Sequence, residues 1–243
     1  MSSKPIVQIK NCSLKLGGRS IVKQLDLEVY SGEIFALLGA NGSGKTSTIR
    51  SLLRIYTPTS GTLDINGAPY KPEMSDLVGY LPEERGLYTR SKVLDVMTYF
   101  GELKGMKRTD ARAFSLEYLG KVGLEDKADL KVKKLSGGQQ QKIQLGVAIM
   151  GKPRLLILDE PTKGLDPVNR VLLIDTIKEV RKNGTAIIYT THLMEEVERI
   201  ADRLAIIRGG ERVAYGAIDE VKKEFDAKTI EEVFVHLYEE QSA

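Results

Sequence analysis

Tryptophan is absent from the 243 residues, cysteine occurs once, and only 6 % of the chain is aromatic. One thiol, Cys12, excludes an internal disulfide framework and fits a reducing compartment; a small residue in or beside a strand is its expected role. No apolar run approaches the roughly 20 residues needed to cross a bilayer. The polar stretch Met1–Pro5 is not followed by the apolar core of a signal peptide. Charge of one sign is also lacking, since 36 Lys+Arg stand against 33 Asp+Glu for a net +3. That balance offers no dominant surface for nucleic acid or anionic lipid, so no nucleic-acid partner is expected. Internal repeats and low-complexity linkers are missing too. The expected setting is cytosolic, with any work at a membrane done through a partner.

What is present is ordinary for a globular chain: 42 % apolar and 28 % charged residues, enough for a substantial core. Pro5–Lys10 and Leu25–Tyr30 alternate with period two, which predicts strands separated by a turn at Gly17-Gly18. Glu33–Leu38 is almost continuously apolar, as a strand buried on both faces must be. A helix with Ile49, Leu52 and Leu53 on one face follows the glycine-rich segment after it. Thr62–Ile65 before Asn66-Gly67 predicts a strand entering a hairpin turn.

From about Val93 to Lys134 the chain is charged, lacks clear strands and spaces Val96, Tyr99, Phe100 and Leu103 as on helices. This predicts a helical subdomain inserted into an α/β core. Leu155–Leu158 and Ala186–Tyr189 are the next buried parallel strands, joined by a helix capped by Asp166 with Pro167 first. Leu204–Arg208 and Arg212–Tyr215 flank Gly209-Gly210 as a hairpin, and Ile230, Val233, Phe234 and Leu237 space a terminal amphipathic helix.

Three segments carry chemistry. Gly39-Ala40-Asn41-Gly42-Ser43-Gly44-Lys45-Thr46, followed by Ser47, matches the phosphate-binding loop pattern between a strand and a helix. Its glycines let successive amides turn toward phosphate oxygens, Lys45 adds a point charge, and the Thr46 hydroxyl can ligate Mg²⁺. Asp159-Glu160 ends a buried strand, where α/β sheets bind ligands. Asp159 suits a metal, and Glu160 suits a base taking a proton from water; a solvated acidic pair is the plainer alternative. Ser136-Gly137-Gly138-Gln139 precedes a helical run from Gln140 to Met150, and its spacing alone does not distinguish an anion site from an ordinary cap.

In their order, the loop at 39–46, Leu135–Gln139, Leu155–Glu160, Gly164-Leu165-Asp166 and His192 resemble the ABC ATPase family over about Ile6 to Gly216. The resemblance implies an α/β fold: a P-loop NTPase core of ABC type with an N-terminal antiparallel β subdomain and an inserted α-helical subdomain. It implies one ABC ATPase domain over 1–243. Residues 1–92 and 135–216 would form the ATP-binding core, 93–134 the helical subdomain and 217–243 a helical tail. It further implies ATP and Mg²⁺ as cofactors, and a head-to-tail dimer, of two copies or of closely related subunits. Ser136, Gly137, Gly138 and Gln139 of one subunit would meet the γ-phosphate held by the other. Asp166 would lie at that interface, and His192 would contact the γ-phosphate.

Two positions depart from the family. Leu16 stands where an aromatic residue usually stacks on adenine, and residues 1–29 contain no Phe, Tyr or Trp. Glu83 stands where a Gln usually faces Mg²⁺ and the attacking water. Gly79–Tyr88 and Thr229–Phe234 resemble the exporter branch that includes sodium and drug efflux ATPases. The resemblance then implies an integral membrane subunit on another polypeptide, docking near Glu83 and 93–134, and a place on the cytoplasmic face of the membrane. An ABC protein outside transport, acting as a nucleotide-gated interaction module, is the alternative; the single unbroken cassette and the absence of a basic patch favour transport.

Overall fold

The computed structural model describes residues 4–84 and 86–239. Residues up to Pro72 together with those from Ala186 form one compact unit, and Glu73–Thr185 form the other. The first unit opens with the hairpin of β1 (Val7–Leu16) and β2 (Arg19–Val29), whose two-residue turn is Gly17-Gly18. Both turn glycines have positive φ, which lets the turn follow the strand twist without a Cβ penalty. Both strands run further than the alternation predicts. Register shifts between Ile9 and Leu14, with Asn11 at a φ of 53°, break the period-two pattern while pairing continues. Cys12 is buried in β1, where loss of solvent pushes its thiol up to about 11.

β3 (Ile34–Leu38) is buried at every residue and leads through the glycine-rich loop into α1 (Lys45–Leu52). β4 (Ser60–Ile65) pairs with β1, completing a three-stranded antiparallel sheet in the order β2-β1-β4. The Asn66-Gly67 turn forms, but only an Ile65–Ala68 bridge follows it, so the expected hairpin stops after one pair.

The second unit begins with β5 (Val78–Leu81), parallel to β6 (Leu155–Asp159). Between them lie α2 (Val93–Leu103), α3 (Arg108–Lys121) and α4 (Gly137–Ile149), and after β6 comes α5 (Pro167–Lys182). Val93, Met97, Leu119, Val132, Ile143 and Met150 are buried together in one core. Close packing extends to backbone: a Cβ added at Gly79 would lie 2.2 Å from the Ala148 carbonyl oxygen and 2.9 Å from Leu156 Cδ1.

The chain returns to the first unit with β7 (Ala186–Thr191), α6 (Met194–Ile200) and the β8 (Arg203–Arg208)–β9 (Glu211–Ala217) hairpin. Two helices end it, α7 (Ile218–Glu224) and α8 (Ile230–Glu239). β7, β3 and β8 pair in parallel in that order, and β9 adds antiparallel at the edge. Ala36, Leu38, Val197, Ile206, Ile230 and Val233 share the core beneath these helices. Gly79→Ala must part β5 from α4. Overpacking of this kind costs about 1–3 kcal/mol, and we expect Gly79→Ala to lower the urea midpoint with an unchanged slope. An unchanged midpoint would show that the packing at Gly79 is looser than described.

Candidate functional site

In the first unit the glycine-rich loop joins the carboxyl end of β3 to the start of α1. Gly44 is the N-cap residue of α1, at a φ of 112° and without a side chain to cap the helix; no acidic residue occupies the first turn. Gly44 thus supplies no side-chain cap, and the helix dipole favours an anion there. Lys45, itself buried, turns its ammonium back on the loop and donates to the carbonyls of Gly39 at 2.8 Å and Ala40 at 3.3 Å. Ser43 is buried, and its hydroxyl has no hydrogen-bond partner among the described residues. Ala40, Thr46 and Ser47 are half-buried, while Asn41 and Gly42 are exposed.

The loop is walled by backbone. A Cβ at Gly39 would sit 2.4 Å from the Ile207 carbonyl oxygen, and one at Gly44 would sit 2.9 Å from that of Ile21. Glycine at these positions is thus required by contact as well as by conformation. His192 follows β7 and is exposed. Because Leu38 pairs with Thr191, Gly39 and His192 are the next residues beyond the carboxyl ends of neighbouring parallel strands. Leu16 ends β1 opposite Arg19 and is half-buried, at the head of the hairpin whose Ile21 carbonyl borders Gly44.

In the second unit Asp159 ends β6 fully buried, and Glu160 follows it with 6 % of its surface exposed. Glu160 has a φ of 51°, a left-handed backbone conformation that a non-glycine residue adopts only under constraint. The turn is closed by the Lys163 N–H donating to the Glu160 carbonyl at 3.1 Å. Glu83 is ion-paired with Lys163 at 2.5 Å, and this contact raises the Lys163 ammonium above its ordinary value. Lys163 had no motif to announce it; the two residues are 80 positions apart.

Ser136 caps α4 reciprocally with Gln139: the Ser136 hydroxyl accepts from Gln139 N–H at 3.3 Å, and Gln139 Oε1 accepts from Ser136 N–H at 2.9 Å. Since a hydroxyl that accepts keeps its own proton to donate, this cap leaves Ser136 able to bond an anion. Asp166 caps α5, accepting from Asn169 N–H at 3.0 Å, and that bond lowers its carboxyl below the usual range. A Cβ at Gly138 would lie 3.4 Å from Leu165 Cδ2, so the turn at 137–138 packs on the turn before Asp166. Two further residues, unmarked in the sequence, tie these turns together. Gln141 donates to the Pro161 carbonyl at 2.9 Å, and Gln144 donates to the Glu84 carbonyl at 3.3 Å. One helix thus holds the Glu83 loop, the turn after Glu160 and the turn at Asp166.

The donor set suits a nucleoside triphosphate and a hard cation. A glycine-rich loop at a helix N-terminus, a buried hydroxyl and an ammonium match phosphate oxygens. Among the described residues no group of three or more His, Cys, Asp or Glu could hold a metal by itself. Mg²⁺ is typically held by one or two carboxylates plus substrate phosphates, and Asp159 and Glu83 are carboxylates of the second unit.

Residues 22–163 match the ABC transporter family. Over 219 residues the chain is 43 % identical to an ABC transporter ATP-binding protein of Methanocaldococcus jannaschii, covering 90 % of this chain and 80 % of that one. It is 38 % identical to the Nod factor export ATP-binding protein I of Cupriavidus metallidurans, covering 87 % and 71 %. A solved ATP-binding subunit of an ABC transporter superposes with a TM-score of 0.90 at 26 % identity, covering 96 % of this chain and 99 % of that one. Motif order, α/β fold with an antiparallel β sheet, and relatedness agree: the chain belongs to the ABC transporter ATP-binding proteins, the family of ATP-hydrolysing subunits.

Proposed function

We propose that this chain drives export across a membrane, as one of two ATPase subunits attached to a separately encoded membrane-spanning subunit. The observation that carries the hydrolytic part is Glu160, a buried carboxylate on a left-handed backbone just past the end of β6. Strain of that kind persists where surrounding structure imposes it, commonly at reacting centres. In this reading Gly39–Ser47 bind the triphosphate, Lys45 places positive charge on it, and His192 contacts its terminal phosphate. Thr46, Asp159 and Glu83 would hold Mg²⁺, which would neutralise charge on the phosphates. Glu160 accepts the proton of the attacking water.

Ser136–Gln139 meet the nucleotide of a second subunit, with Asp166 at the interface, so ATP closes the pair and product release reopens it. Export is supported by the relative named for Nod factor export. Docking of a membrane subunit is supported by an apolar ridge in the second unit: Tyr88, Tyr99 and Leu103 are 54 %, 44 % and 56 % exposed. The rings of Tyr88, Tyr99 and Phe100 lie 5.7–5.9 Å apart, a preformed aromatic surface. Arg85, the companion docking residue, lies outside the described residues. No helix among the described residues is long and apolar enough to cross a membrane. The reading places the chain on the cytoplasmic face, beside its membrane partner, with residues 93–134 as the helical subdomain and 217–243 as a tail.

Two expected outcomes test this. Glu160→Gln retains ATP binding, loses turnover by roughly 10²–10⁴-fold, and accumulates an ATP-bound dimer in light scattering; near-normal turnover removes Glu160 from the role of base. The second outcome concerns Leu16, which cannot stack on a base as an aromatic ring does. Base stacking is worth about 1–3 kcal/mol, so wild type should bind ATP modestly and discriminate weakly against GTP. Leu16→Tyr should raise ATP affinity by up to about fivefold, since leucine already supplies part of the contact. Strong ATP preference in the wild type, with no gain from the new ring, would place adenine recognition elsewhere.

A further inference from the structure

We infer that Tyr238, on the C-terminal helix α8, is a positioning residue for the phosphate loop and thereby sets nucleotide affinity. The inference rests on the reading of Gly39–Thr46 as the nucleotide site. Its basis is one peptide unit. The Ala40 N–H donates to the Tyr238 hydroxyl at 3.3 Å, and the Gly39 carbonyl of the same peptide accepts from Lys45 Nζ at 2.8 Å. In a trans peptide these two groups point in opposite directions, so the plane is pinned at both edges, by Tyr238 on one side and Lys45 on the other. Gly39 has no side chain to resist rotation of that plane, and backbone contact forbids it one. The orientation of the carbonyl that holds Lys45 therefore depends on what its peptide's N–H finds, and it finds Tyr238.

Tyr238 is itself firmly placed. Its ring stacks on Phe234 one turn earlier, with centroids 4.3 Å apart. Arg208, the last residue of β8, lies 6.0 Å from the ring centre and donates to the Leu237 carbonyl near the end of α8. A cation there also suits the negative end of the helix dipole. The hairpin that begins at Arg208 grips the other side of the loop, because the Gly210 N–H donates to the Ser43 carbonyl at 3.1 Å. The buried residues Ile230, Val233 and Leu237 anchor α8 to the core, so the hydroxyl is delivered by a fixed element. A loop held in its binding shape loses less freedom when phosphate arrives, and affinity rises accordingly. If Tyr238 only packed, its ring would matter and its hydroxyl would not.

The test uses the full chain and Tyr238→Phe, which keeps the ring and removes the acceptor. A fluorescent ATP analogue is titrated, ATPase turnover is followed against ATP, and thermal unfolding is recorded. We expect Kd and KM for ATP to rise about fivefold, the effect of one neutral hydrogen bond. Turnover at saturation should stay within about twofold, the pattern of lost uniform binding. The unfolding midpoint should move by no more than about 2 °C. Lys45→Ala, measured beside it, separates the two ideas. If Lys45→Ala loses binding while Tyr238→Phe binds as wild type, the inference about Tyr238 is overturned and the site stands. If Lys45→Ala itself binds as wild type, the loop is not the nucleotide site and the inference falls with that reading.

Discussion

A glycine-rich loop at a helix head has few side chains of its own to fix its shape, so its neighbours have to hold it. Here α1 begins at Gly44, a residue with no side chain to cap the helix. The contrast with α4 and α5 is informative, because Ser136 and Asp166 satisfy amides at those helix heads. The loop keeps its shape through its carbonyls and through the Ala40 N–H, which donates to Tyr238. Lys45 draws in the carbonyls of Gly39 and Ala40, and Gly210 donates to that of Ser43. Its glycines then follow from contact, since Ile207 and Ile21 carbonyls occupy the space a Cβ would need.

The second unit solves a different problem, that of holding charge out of water. Asp159 and Glu160 sit at the end of a buried strand, where a carboxylate is costly unless something polar faces it. The chain turns sharply there, at the expense of a left-handed backbone at Glu160. α4 steadies the surroundings through Gln141 and Gln144, whose amides bond the turn after Glu160 and the loop after Glu83. Glu83, which the sequence resemblance sets where the family carries a neutral amide, is paired with Lys163. The departure at Glu83 is thus accompanied by a local counter-charge.

Elements whose burial is uniform or whose motifs have fixed spacing were legible in the sequence. β3, α1, β6, α5 and the β8–β9 hairpin stand where the apolar runs, the capping pair Asp166-Pro167 and the Gly209-Gly210 turn put them. Reading stopped where the signal was local and weak. β5 is four residues long and includes Gly79, so it passes for part of the loop that follows. α7 is seven residues of mixed charge with one buried side chain, Val221. Bulges around Cys12 hid the true length of β1 and β2. The partners of Glu83 and Ala40 were beyond reach for another reason. Lys163 and Tyr238 lie 80 and 198 residues away, and only tertiary packing joins them.

The central claim is that two chains share each nucleotide, one offering Lys45 and the other Ser136. Tethered pairs test it directly. With Lys45→Ala in one chain and Ser136→Arg in the other, both defects fall in one composite site and the second site is intact, so turnover persists. With both substitutions in one chain beside a wild-type partner, each site carries one defect, and turnover is lost. Sites contained within single chains would give the reverse pattern, silent in the first arrangement and active in the second, and that result would contradict the account.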